Sequence, residues 1–149
     1  MIGISACLAG YKCRYDLNSQ TSCEIKELIK DRKDIFFFCP EQLGGLSTPR
    51  IPCEIVDREN IIVKNKNGED KTEQFLRGAS EAIRLIEFYE PELLVLKENS
   101  PSCGVNKIYD GTFSGELVSD SGVLVKLLKR QKIDIDIMTE NDIAFKCEI

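Results

Sequence analysis

Three short apolar runs, each leading into a cysteine, constrain this sequence more than any other feature. Runs of four to six apolar residues bounded by turn residues predict buried strands of a parallel sheet. Open α/β sheets keep their ligand sites beyond the carboxyl ends of the strands, so the three thiols are predicted to share one site. The runs and their cysteines are 1–6 with Cys7, 34–38 with Cys39, and 93–96 with Cys103.

Helical and strand-like segments alternate along the rest of the chain. The clearest is a long amphipathic helix predicted over Thr72–Tyr89, with Thr72 as its N-cap. The pattern predicts a single three-layer α/β domain over residues 1–149, with a mostly parallel, Rossmann-like central sheet of about four or five strands. The other predicted elements are a helix at 22–32 capped by Ser22, a hairpin at 55–63, a helix at 121–131, a strand at 133–138 and a closing helix at 139–145.

The segment 106–116 is rich in glycine and is predicted to be a loop that folds over the site. A glycine-rich loop also suits phosphate binding, but the segment lacks the Gly-Lys-Ser/Thr ending of a Walker motif. The sequence therefore does not favour a phosphate site here.

The net charge and hydropathy of the chain limit the kinds of ligand and partner that it is expected to bind. The net charge is −5 and the sequence shows no basic stripe, which argues against duplex nucleic acid as a ligand. No apolar run approaches the roughly 18 to 20 residues of a membrane span, and no charged n-region precedes a signal-like segment. We expect a cytoplasmic protein that binds a small, weakly charged ligand.

The chain has seven cysteines and no histidine. An odd number of thiols in a reducing compartment does not predict a disulfide framework. The absence of histidine removes Ser-His and Cys-His dyads and the usual zinc sites that contain histidine. Proton transfer must therefore use carboxylates, lysine, tyrosine, thiols or water, and Glu41, two residues after Cys39, is the carboxylate best placed for that role.

The loop that follows Cys7 carries two charged candidates, Arg14 and Asp16. These residues either anchor the loop through a charge pair or recognise a ligand. The sequence alone leaves both interpretations open.

Three thiols from separate strand ends can bind zinc, bind an iron-sulfur cluster or include a catalytic nucleophile, or they can simply be buried in the core. Structural zinc sites usually take four ligands in close pairs, and these thiols offer no such pair. A 4Fe-4S cluster normally takes four cysteines, so three would leave one iron open, and sulfur would be a natural ligand there.

Three motifs carry a resemblance to a known family. The motifs are CLAG at 7–10 with CRYD at 13–16, CPEQLGGL at 39–46 with TPR at 48–50, and KENSPSCG at 97–104 with IYDGTF at 108–113. With these motifs, the chain is similar over nearly its whole length to the bacterial family that contains the thiouracil desulfidases, formerly catalogued as a domain of unknown function.

The resemblance implies an oxygen-sensitive 4Fe-4S cluster as cofactor, with Cys7, Cys39 and Cys103 as its ligands. Its fourth iron would capture the sulfur of a small thiolated substrate. The implied overall reaction is non-redox, because thiouracil and water give uracil and sulfide.

The resemblance also implies roles for residues other than the cysteines. Glu41 would activate water or shuttle protons, and Ser100 and Ser102 would orient the substrate. Together with Arg14 and Asp16, these residues form the predicted substrate-binding set.

Two alternatives remain open at the level of the sequence. In the first, Cys13, or Cys53 with less support, is a fourth ligand, and the protein is a non-catalytic cluster carrier or sensor. In the second, the protein is a thiol enzyme with Cys103 as nucleophile, activated by Lys97, a helix N-terminus or another thiol.

Overall fold

The structure of the protein, a computed structural model, describes residues 1–147, and it describes side chains as far as residue 143. The helices are α1 Cys23–Ile29, α2 Pro40–Leu43, α3 Thr72–Tyr89, α4 Val123–Arg130 and α5 Glu140–Cys147, with a 3-10 turn at Ala6–Ala9. The strands are β1 Ile2–Ser5, β2 Ile35–Phe38, β3 Cys53–Asp57, β4 Ile62–Asn65, β5 Leu93–Leu96, β6 Lys107–Tyr109, β7 Leu117–Ser119 and β8 Asp136–Thr139.

Four parallel strands form the central sheet in the order β2-β1-β5-β8. Ile2 of β1 pairs with Ile35 of β2 on one side and with Leu93 of β5 on the other, and Leu93 also pairs with Asp136 of β8. The predicted α/β class and parallel sheet are confirmed. Because all four strands run in one direction, their carboxyl ends lie along one edge of the sheet.

Helices cover both faces of this sheet. Ile4 and Val95 pack in a cluster with Ile25 of α1 and Ile143 of α5. The neighbours of Val95 in β5 point the other way, and Leu94 and Leu96 pack in the cluster that contains residues of α3, α4 and the β3-β4 hairpin. This alternation along β5 gives the predicted three layers, because successive strand side chains point to opposite faces.

The N-cap prediction for α1 is confirmed and the one for α3 is wrong. Ser22 Oγ accepts a hydrogen bond from the Ile25 N–H at 3.2 Å. Thr72 is instead the first residue of α3, and its Oγ1 accepts a hydrogen bond from the Val63 N–H of β4 at 2.9 Å. The hydroxyl ties the hairpin to the helix, a long-range contact that helix-capping rules do not reveal.

The loop predicted at 106–116 contains a strand. Ile108 of β6 pairs with Val118 of β7 and is buried, and this single buried position is too short a pattern to predict a strand. Beyond β6, the Gly111 and Phe113 N–H groups donate to Oε1 of buried Glu54 in β3 at 2.9 and 3.2 Å. The remaining loop is therefore fastened to the β3-β4 hairpin.

Two glycines allow α2 to lie directly against α3. A Cβ atom at Gly78 would overlap the carbonyl of Pro40, and one at Gly44 would overlap the carbonyl of Gln74. This close approach holds in place the one-turn helix that follows Cys39.

Gly78→Ala is accordingly expected to lower the free energy of unfolding by about 1–3 kcal/mol through overpacking. The sign is diagnostic, because Gly→Ala inside a helix otherwise stabilises it by about 1 kcal/mol. Urea denaturation measures the change, with Ser80→Ala on the exposed face of α3 as the control. A stabilised Gly78→Ala protein would show that α2 is not packed tightly.

Candidate active site

A cavity of about 590 Å³ lies at the carboxyl edge of the sheet, and Cys7, Cys39 and Cys103 all line it. Cys7 follows β1 within the 3-10 turn, Cys39 directly follows β2 and precedes α2, and Cys103 lies in the loop after β5. The structure thus brings the three predicted thiols into one cavity, as parallel strands with adjacent carboxyl ends require.

The loop that carries Cys103 is shaped by two serines. Ser100 Oγ accepts hydrogen bonds from the N–H groups of Ser102 at 3.2 Å and of Cys103 at 3.0 Å. The two serine hydroxyls lie 3.0 Å apart, and both residues line the cavity. The family resemblance implies that both serines orient the substrate, and Ser100 also supports the backbone of its own loop.

Glu98 is a structural residue of the site that the sequence analysis missed. Its buried Oε1 accepts hydrogen bonds from the N–H groups of Val105 at 2.8 Å and Asn106 at 3.0 Å. Its Oε2 accepts a further bond from Asn106 Nδ2 at 2.8 Å. The buried carboxylate therefore pins both ends of the Cys103 loop, and no local pattern marks it, since a glutamate after a strand is usually solvated.

Cys13 and Cys53 also line the cavity, and both are buried. The Cys39 thiol donates a hydrogen bond to the Cys13 carbonyl, with 3.9 Å between Sγ and the oxygen. Cys23 is exposed on α1, away from the lining of the cavity, and the side chain of Cys147 lies outside the described residues.

The environment of the cavity thiols favours their neutral form. Burial raises the pKa of Cys103 to about 12, although hydrogen bonds with Ser5 and Ser102 oppose the shift. Burial, followed by the charge of Glu41, raises the pKa of Cys53 to about 11. Thiols in such surroundings ionise readily only when a cationic metal binds them and displaces their protons.

Cys13 and Cys39 affect each other's pKa in opposite directions, although both pKa values end above the ordinary range. A hydrogen bond with Cys13, followed by burial, raises the pKa of Cys39 above its ordinary range. A hydrogen bond with Cys39 lowers the pKa of Cys13, but a hydrogen bond with Cys7 and burial together raise it by more. The pKa of Cys13 therefore rises to about 11.

Glu41 lies at the centre of the polar side of the cavity. Its Oε1 accepts a hydrogen bond from Arg50 Nε at 3.2 Å, and its Oε2 accepts one from Ser102 Oγ at 3.1 Å. The Glu41 side chain is 15% exposed and that of Arg50 is 7% exposed. The structure thus joins Glu41 to one predicted serine and adds Arg50, for which the sequence analysis predicted no role.

Arg14 and Asp16 differ in their relation to the cavity. Arg14 lines it, whereas Asp16 is exposed and is not among the described residues that line it. Arg14 Nη2 lies 3.7 Å from Asp16 Oδ2, and the guanidinium carbon lies 5.5 Å from the centre of the Tyr15 ring. This arrangement matches an anchoring pair from which only Arg14 reaches the cavity.

Lys97 is not free to activate a thiol. Its Nζ donates to Glu140 Oε1 of α5 at 2.7 Å and to the Glu98 carbonyl at 2.8 Å. Nucleophilic cysteines need a lowered pKa and access to solvent, whereas Cys103 is 4% exposed and its pKa is raised. The site geometry therefore disfavours a thiol enzyme that uses Cys103.

The donor set suits a cluster better than a single ion. Among the described residues, no three Cys, Asp or Glu side chains converge closely enough to hold one metal ion. A 4Fe-4S cluster is larger, and its ligands approach separate irons rather than a common point. Soft thiols arranged around a cavity fit that requirement.

Comparison with known proteins identifies the family. Residues 2–142 match a family model described as 2-thiouracil desulfurase. The chain belongs to the 2-thiouracil desulfurase family. The resemblance predicted from the three motifs is thereby confirmed.

Two relatives of this family member are informative. It is 42% identical over 137 residues to the uncharacterized protein YbbK of Bacillus subtilis (strain 168). This alignment covers 87% of this chain and 90% of YbbK. It also resembles a solved structure described as a 4Fe-4S-dependent thiouracil desulfidase, TudS, with a TM-score of 0.83 and 36% identity. That likeness covers 99% of this chain and 97% of the solved one, and it confirms the fold.

The described part of the chain shows no membrane-spanning helix. None of the helices within residues 1–147 is both long and apolar enough to cross a bilayer.

Proposed function

We propose that this protein removes sulfur from a thiouracil-type nucleobase, converting it with water to uracil and sulfide. In this proposal residues 1–149 act as one domain, and Cys7, Cys39 and Cys103 hold a 4Fe-4S cluster. The observation that carries the proposal is that these three thiols line the same cavity as the Glu41-Ser102 pair. The dependence of the similar TudS structure on a 4Fe-4S cluster supports it.

The bound cluster would supply an open iron, which acts as a soft Lewis acid towards the thiocarbonyl sulfur. The polar groups of the chain would perform the remaining chemistry. Ser100 and Ser102 place hydroxyls in the cavity, where they can hydrogen-bond to the ring of the substrate. Arg14 adds a guanidinium that can bind a ring carbonyl or another acceptor of the substrate.

Glu41 would be the group that moves protons. In a chain without histidine, a carboxylate held in a cavity can accept a proton from the attacking water and return it to the departing sulfur. Its hydrogen bonds to Arg50 and Ser102 fix the carboxylate before substrate binds. The atoms balance, because one water supplies the new carbonyl oxygen and both hydrogens of hydrogen sulfide.

Anaerobic reconstitution with iron and sulfide tests the proposal directly. We expect about four irons per chain and release of sulfide from 4-thiouracil, with uracil as the product. Protein that binds no iron under any reconstitution condition would refute the cluster. Protein with four irons that leaves 4-thiouracil unchanged would refute the activity and leave a carrier or sensor.

Cys13→Ala separates an open cluster from a closed one. Because Cys13 lies beside Cys39 and Cys7 rather than at the end of a strand, we expect the variant to keep about four irons and to release sulfide. Iron analysis and the sulfide assay measure both quantities in the same sample. Loss of the cluster in Cys13→Ala would identify Cys13 as the fourth ligand and favour the non-catalytic alternative.

A further inference from the structure

We infer that Arg50 is a positioning residue that fixes the Glu41 carboxylate in the orientation needed for proton transfer. The inference rests on the proposed role of Glu41. It follows from the contacts of the Arg50 guanidinium, which donates to the Glu41 carboxylate on one side and to the Cys13 carbonyl on the other.

The Glu41 carboxylate is held from two sides. Arg50 Nε donates to Oε1 at 3.2 Å, and Ser102 Oγ donates to Oε2 at 3.1 Å. One donor lies in the segment 48–50 and the other lies in the Cys103 loop, so the two donors come from segments far apart in the chain. With both oxygens engaged, the carboxylate has a defined plane, which a single hydrogen bond would not give it.

The rest of the guanidinium is anchored to backbone and hydroxyl groups. Its Nη2 donates to the Cys13 carbonyl at 3.0 Å, and its Nη1 donates to Thr48 Oγ1 at 3.0 Å and to the Ser47 carbonyl at 3.1 Å. The Arg50 N–H also donates to the Tyr15 carbonyl at 2.8 Å. The planar fork of arginine can make these contacts at once, whereas the single ammonium of lysine cannot.

The salt bridge between Arg50 and Glu41 is largely shielded from water, because their side chains are 7% and 15% exposed. Among the described residues, neither side chain has another salt bridge. Removing one member leaves a buried charge without compensation, while removing both leaves none. A residue that acts through Glu41 should therefore have little further effect once Glu41 has lost its charge.

A double-mutant cycle on the reconstituted protein tests this coupling. We expect Arg50→Gln to lower kcat for 4-thiouracil on the order of 10- to 100-fold, with KM changed by less than about threefold. Arg50→Lys should recover only part of that loss. The Arg50→Gln and Glu41→Gln double variant should be no slower than Glu41→Gln alone.

Two further measurements separate positioning from a structural role. All variants are expected to retain about four irons per chain, as does the control Arg84→Gln, whose exposed guanidinium lies on α3. In the cluster-free protein, the double variant should melt no lower than Arg50→Gln, because no buried charge is left unpaired.

Several outcomes would overturn the inference. Losses in kcat that add in the double variant would show that Arg50 does not act through Glu41. Loss of iron in Arg50→Gln would assign Arg50 to cluster binding instead. A parent protein with four irons and no sulfide release would refute the proposed function and, with it, the role of Arg50. An active parent protein whose variants show additive losses would refute the role of Arg50 alone.

Discussion

Cys39→Ala is expected to abolish both cluster loading and sulfide release. Cys39 directly follows β2, immediately before α2, so its thiol reaches the cavity from a rigid backbone. After anaerobic reconstitution, we expect the iron content to fall well below about four per chain and 4-thiouracil turnover to fall to that of cluster-free protein.

The matched control for this prediction is Cys23→Ala. Cys23 is exposed on α1 and lies away from the cavity, so its loss should leave iron content and turnover unchanged. Cys39→Ser tests whether a hydroxyl of similar size preserves folding without supplying a soft ligand. A Cys39→Ala protein that retains four irons and the parent rate would remove Cys39 from the proposed ligand set.

Glu41→Gln is expected to keep the cluster and lose the reaction. Glutamine preserves the size of the side chain but cannot accept a proton at neutral pH, and general acid-base catalysis contributes about 10²- to 10⁴-fold to rate. We therefore expect kcat for 4-thiouracil to fall by about that factor while the reconstituted protein retains about four irons per chain. Sulfide release and iron content measured on one preparation check both halves of the prediction.

Glu73→Gln is the control for this carboxylate substitution. Glu73 pairs with Arg77 on the exposed face of α3, so neutralising it removes the same charge without touching the cavity. A Glu41→Gln protein that retains more than a tenth of the parent kcat would show that another group moves the proton. The remaining candidates would be another carboxylate, a lysine, a tyrosine, a thiol or water, since the chain contains no histidine.

Much of the fold was predictable because its determinants are local. The 18 residues of α3 repeat apolar positions at helical spacing, and the predicted bounds, Thr72–Tyr89, agree with the structure. Three of the four strands of the central sheet, β1, β2 and β5, lie in short apolar runs with turn residues at their ends, which mark buried strands. The prediction failed at β6, where one buried residue, Ile108, is the only apolar signal.

The polar network of the site was predictable only in part. The position of Glu41 next to Cys39 and the absence of histidine marked that carboxylate, and the motif resemblance marked the serines. The partners of Glu41 were not predictable, because the guanidinium of Arg50 reaches Glu41, nine residues away, and the Cys13 carbonyl, 37 residues away. Such contacts depend on how the loops fold back over the sheet edge.

The sequence by itself determined which thiols follow strands, and hence that Cys7, Cys39 and Cys103 meet at one edge of a parallel sheet. It also excluded imidazole chemistry, through composition alone. Only the tertiary structure decided that Cys13 and Arg50 join this edge, that Glu98 pins the Cys103 loop, and that Asp16 stays outside the cavity. The physical reason is that strand direction follows from local periodicity, whereas the orientation of loop side chains follows from contacts between segments distant in sequence.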